Sequence, residues 1–119
     1  MRAYDVDEAG WTHEPDYNAY SKRFFPFDGR TPRDWGGAWV KVLPGDTLTS
    51  HHHEEHEIFF VVRGTGLLTL GDETRRVQYG STIAMDWDVP HSLVNDGEEE
   101  LVFLSVWWEG PFETAEDAA

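Results

Sequence analysis

The sequence contains no cysteine among its 119 residues. Disulfide frameworks and thiolate metal sites are therefore both excluded, and any metal ion must be held by imidazole and carboxylate. Positive charge is also scarce: 9 lysines and arginines face 23 aspartates and glutamates, for a formal net charge of −14. A protein that binds phosphate backbones needs a basic stripe to displace counterions, and none is present. The same acidity disfavours anionic membrane surfaces and otherwise serves solubility. No apolar run approaches the roughly 18 residues that a membrane helix requires. The start Met1–Glu8 lacks the apolar core of a secretory signal. The expectation is a cytoplasmic protein with a small-molecule ligand and with neither nucleic acid nor membrane as a partner.

The length suits one domain. Residues 1–34 are punctuated by Pro15, Pro26, Gly29 and Pro32 and carry Trp11, Tyr17, Tyr20, Phe24, Phe25 and Phe27. This stretch reads as an extended arm packed on the main body through its aromatics, with a short strand near residues 21–25. Residues 113–119 read as a frayed acidic tail. Between them, residues 35–112 give strand after strand. Segments 38–43, 57–62, 67–70, 75–78, 81–85, 92–94 and 101–108 alternate or run apolar and stop at turn residues such as Pro44-Gly45, Gly71-Asp72 and Gly110-Pro111. No amphipathic helix pattern separates them, so the fold class is all-β, a sandwich or small barrel.

Four of the six histidines fall in Ser50-His-His-His-Glu-Glu-His-Glu57. A purification tag would sit at a terminus without interleaved glutamates, and a solvated loop would show no relation to the neighbouring strands. Side chains on an extended chain alternate faces. His51, His53 and Glu57 share one parity, continued by the apolar Phe59 and Val61, whereas His52, Glu54 and His56 take the other. A turn within 54–56 would break the strict alternation. Two imidazoles and a carboxylate on one face make a half-shell for a divalent ion. His91, beyond Pro90, is a candidate for a fourth ligand from a distant strand, although a lone histidine there would ordinarily be structural.

The spacing supplies a resemblance. Gly45, five residues, His51, one residue, His53, three residues, Glu57, six residues and Gly64 reproduce the first cupin motif. Gly80, ten residues, His91, three residues and Asn95 have the spacing of the second, after a gap of 15 residues. The chain thus resembles a single-domain cupin. That resemblance implies a jelly-roll β-barrel holding one divalent ion on His51, His53, Glu57 and His91, with coordination positions open to substrate. Zinc is the first expectation, with iron, nickel or manganese as alternatives. The second motif usually carries Pro and Gly where this chain has Asp86 and Asp88. These carboxylates either satisfy a tight turn or bond a substrate or a ligand imidazole. Trp39, Lys41, Phe59, Phe103, Ser105 and Trp107 are further candidates for the pocket wall.

Three functions compete on such a site. Residues 21–27, 39–45 and 103–108 resemble cupins that accompany methionyl-tRNA-synthetase-like adenylating domains. That resemblance implies a zinc cupin that rearranges an N-hydroxylamine–amino-acid ester into an N–N bonded hydrazine, with the adenylating domain as partner. An Fe(II)-dependent dioxygenase would use the same ligands. A non-catalytic binding or sensing cupin is the third reading, disfavoured because no helix-turn-helix pattern accompanies the barrel. Cupins commonly pair through the N-terminal strand and a sheet face, which makes a homodimer the expected assembly.

Overall fold

Short apolar alternations closed by turn glycines can bury their inward residues only by pairing edge to edge and folding one sheet over another. The computed structural model describes residues 1–51, 55–86 and 89–110, apart from the side chains of Ser50 and His51. It contains β1 (Thr12–Glu14), β2 (Ala19–Arg23), β3 (Trp35–Val42), β4 (Thr47–His51), β5 (His56–Arg63), β6 (Gly66–Leu70), β7 (Glu73–Val77), β8 (Thr82–Met85), β9 (His91–Val94) and β10 (Leu101–Trp108). All pairings are antiparallel. A six-stranded sheet runs β1-β2-β3-β10-β5-β8, and a four-stranded sheet runs β4-β9-β6-β7. Among the described residues no helix is long and apolar enough to cross a membrane. The tail at 113–119 lies outside the described residues.

β10 is the spine of the larger sheet because it pairs with β3 on one side and β5 on the other. Its inward residues Phe103 and Ser105 are buried, and they sit level with Val61 and Phe59 of β5. Facing them, the smaller sheet contributes Leu48, Leu68, Leu93 and Val77, which complete one apolar cluster with Val42, Phe59, Leu101 and Phe103. The outward residues of the same strands, Trp39, Ile58, Leu104 and Val106, remain partly exposed. The two periodicities are those of the sequence.

The N-terminal stretch is more than a packed arm, since β2 pairs with β3 and β1 pairs with β2 to extend the larger sheet. β2 ends at Arg23, earlier than expected, and the chain then turns through the cis Phe25-Pro26 bond. Cations fasten the segment before it. Lys22, 8% exposed, directs its ammonium to the backbone carbonyls of Asp5 and Glu8 and lies over the Tyr4 and Trp11 rings. Lys41 covers Trp11 at 4.5 Å, and Arg63 forks the Asp7 carboxylate at 2.7 and 3.2 Å.

The end of the barrel where Lys41 and Arg63 meet this arm also holds Asn95, which is fully buried. Its amide donates to the carbonyls of Val42 (2.8 Å) and Glu99 (2.9 Å) and accepts from the Gly97 N–H (3.0 Å). These bonds tie the exit of β3 to the β9–β10 turn, which gives the last position of the second spacing a structural duty. Gly64 has a similar one: its φ is +80° and a Cβ there would lie 2.5 Å from the Glu100 carbonyl oxygen. Replacing Asn95 by alanine strands several buried polar groups at once. We expect the variant to lose about 2–4 kcal/mol in denaturant unfolding; a loss below about 0.5 kcal/mol, within the range of surface substitutions, would contradict the assigned role.

Candidate metal centre

Parity places Glu57, Phe59 and Val61 on the inner face of β5, and the structure buries all three. His56 takes the outer face and packs on Trp108 with ring centroids 5.6 Å apart. From the opposite sheet, β9 turns His91 and Leu93 inward. The Glu57 Oε1 and His91 Nε2 atoms thereby come within 3.7 Å. Ser105, on the neighbouring strand, donates its hydroxyl to Glu57 Oε2 at 2.5 Å. Phe59 meets His91 edge-on at 5.8 Å and is backed in turn by Phe103 at 4.2 Å, so one aromatic ring braces the imidazole from the side.

The backbone of His51 lies directly opposite His91 in the β4–β9 pairing. Its side chain, and the whole of His53, lie outside the described residues. Among the described residues no three histidine, aspartate or glutamate side chains gather as a metal group. The two expected ligands that are described nevertheless fit one ion. Bonds of about 2.0–2.2 Å at a tetrahedral angle put ligand atoms about 3.4 Å apart, close to the observed 3.7 Å. That separation exceeds an ordinary hydrogen bond.

The pair opens onto a cavity of about 230 Å³. Phe59, Phe103, Ser105 and Trp107, four of the expected wall residues, line it. Trp39 and Lys41 fall on the outer face of β3, because Ala38, Val40 and Val42 hold the inward parity; Lys41 instead meets Trp11 and pairs with Glu100 at 3.7 Å. Asp86 is exposed, and Asp88 lies outside the described residues. The wall also includes residues that sequence reasoning did not assign to it, among them Glu14, Tyr17, Ser21, Arg23 and Glu55. For Ser21 and Arg23 the alternation with Ala19 is a signal, but its inward sense depends on the pairing of β2 with β3.

Burial of the Glu57 carboxyl raises its pKa from 4.5 to about 7; the Ser105 hydrogen bond opposes the rise and the charge of Glu55 adds to it. Burial and the neighbouring Glu109 also push Glu55 upward, while Arg23 offsets part of that. Between pH 4.5 and about 7, folded metal-free protein holds a proton on Glu57 that the unfolded chain has released. This stabilisation is complete below the lower value and disappears as pH rises through the upper one, by something on the order of 3 kcal/mol. A divalent ion reverses the preference, because it needs the ionised carboxylate. Chelator-treated protein is therefore expected to lose stability across this window in urea melts, and Glu57→Gln to flatten that part of the loss. Parallel losses in both proteins would remove Glu57 as the source.

Comparison with known proteins agrees with the fold. Residues 38–107 match the Cupin_2 family, described as a cupin domain. The chain is 31% identical over 70 residues to an oxalate-binding protein of Thermotoga maritima, a stretch that covers 58% of each chain. It spans about half the length of the curated relatives it matches, 46% and 58%. Among solved structures, a protein of Photorhabdus luminescens superposes with a TM-score of 0.78 at 32% identity, covering 92% of this chain and 87% of that one. A Cupin 2 conserved barrel domain protein of Salinispora arenicola shares the fold at a TM-score of 0.80 and 24% identity, covering 92% and 90%. With the family match extending over more than half of its residues, the chain belongs to the Cupin_2 family of cupin domains.

Proposed function

We propose that the protein is a metal-dependent cupin enzyme that works on a small molecule inside its barrel, with one divalent ion held by His51, His53, Glu57 and His91. The observation that carries this reading is the convergence of Glu57 and His91 at 3.7 Å from two different sheets, at the wall of a cavity. The donor set, three imidazoles and one carboxylate, suits zinc first and iron, nickel or manganese as well. When bound, such an ion supplies Lewis-acid polarisation of a substrate oxygen and fixes its orientation.

The chain's own residues supply the rest. The Ser105 hydroxyl holds Glu57 Oε2 and so leaves Oε1 facing His91. Phe59 packs edge-on against the His91 imidazole and is itself backed by Phe103. The cavity is below the usual span for drug-sized ligands, roughly 300–1,000 Å³, which points to a compact metabolite. A relative named for oxalate binding supports an oxygen-rich ligand.

Rearrangement of an N-hydroxylamine–amino-acid ester to a hydrazine is a narrower form of this proposal. It rests on residues 21–27, 39–45 and 103–108 and would bring a methionyl-tRNA-synthetase-like partner with it. The homodimer belongs to the proposal too, supported by the partly exposed outer face where Leu104 lies between Trp39 and Phe60.

Metal titration tests the core of the reading. Chelator-treated protein is expected to take up one equivalent of zinc by calorimetry. Glu57→Ala and His91→Ala are each expected to weaken uptake by about 100-fold or more, since each loses a direct ligand. Uptake unchanged in both variants would overturn the assignment.

A further inference from the structure

Part of the cavity wall is built from β1 and β2, outside the residues 38–107 that match the family. It holds Arg23, which among the described residues is the only lysine or arginine on the cavity wall. Arg23 also lines a second depression, about 250 Å³, that runs over the 31–37 segment. Glu55 and Trp107 are likewise shared by the two spaces. The three residues therefore form a wall, or neck, common to an inner cavity and an outer groove.

The Arg23 guanidinium is held in place from two sides. Its Nε donates to Glu14 Oε1 at 3.2 Å, and the same oxygen accepts the Ser21 hydroxyl at 2.7 Å. Its carbon lies 6.0 Å from the centre of the Trp107 ring. That indole rests where Gly36 has no side chain; a Cβ at Gly36 would lie 2.6 Å from it. The contact with Glu14 uses one of the five N–H donors of a guanidinium. Among the described residues no other hydrogen-bond acceptor meets Arg23, so its two terminal amino groups remain for a ligand. A planar fork of that kind matches a carboxylate.

We infer that Arg23 is a specificity-determining residue that selects a small two-ended acid, with one carboxylate forked at the neck and the other oxygen-bearing end at the metal centre. This inference rests on the metal reading above and deepens it by naming the substrate class. Glu14 and Trp107 act as positioning residues, the first by orienting the guanidinium and the second by supporting its face. Glu55, on the same neck, disfavours any carboxylate that is not drawn to Arg23.

The test uses the full chain loaded with zinc and measures binding by calorimetry, with succinate and glutarate as two-ended probes. Acetate is the one-ended control and 1,4-diaminobutane the cationic one. Succinate or glutarate is expected to bind about tenfold or more tightly than acetate, as one charge-assisted fork would give. Arg23→Gln is expected to remove that advantage while leaving acetate and zinc affinity unchanged, and Arg23→Lys to retain part of it. Unchanged zinc affinity also shows that the variants have folded. If the diacids bind no better than acetate, if Arg23→Gln weakens acetate equally, or if the diamine binds more tightly, the inference is overturned and the metal reading stands. If the wild-type protein takes up no zinc, both fall together.

Discussion

A carboxylate buried in an apolar barrel is the constraint on which the site depends. Glu57 sits on a strand whose inward neighbours are Phe59 and Val61, and the surroundings favour its neutral form. One hydroxyl, that of Ser105, is directed at it, and an imidazole faces it from the opposite sheet. Under the proposed function, a divalent ion between carboxylate and imidazole would favour the ionised form that burial alone opposes. The rest of the fold keeps those two side chains opposed.

That opposition is achieved by β10 and β9. β10 locks β5 and β3 into one register, which puts Ser105 diagonal to Glu57. β9 pairs with β4 and β6, which sets His91 beside the end of β4. Asn95 then fastens the exit of β9 to β3, so the two sheets cannot slide without breaking buried hydrogen bonds. The N-terminal strands add what the barrel core lacks, a polar neck with a single fixed guanidinium.

Much of this was legible in the sequence, and the exceptions have physical reasons. β5 and β10 were readable because each is a long, largely apolar run ended by glycine, and Glu57 kept its parity through the strand. β4, Thr47–His51, was missed because Leu48 is its only apolar residue and its stability comes from pairing with β9. Trp39 and Lys41 could not be told from inward residues, since β3 buries Ala38 and Val42 on one face and rests Lys41 against Trp11 on the other. The neck escaped notice for a related reason. Whether Ser21 and Arg23 face inward follows from the register Ser21↔Val40 and Arg23↔Ala38, a pairing across sequence distance that no local pattern encodes. His91 became visible through its spacing from Gly80 and Asn95, which bracket β8 and β9.

The central claim is that imidazoles and the Glu57 carboxylate hold one ion inside the barrel. X-ray absorption spectroscopy of the zinc-loaded protein tests it most directly. The expected spectrum has nitrogen and oxygen neighbours at about 2.0–2.2 Å, no sulfur, and the outer-shell scattering of several imidazole rings, which Glu57→Ala and His91→Ala alter. A spectrum with oxygen neighbours alone and no imidazole scattering, or one identical in both variants, would place the ion elsewhere and contradict the claim.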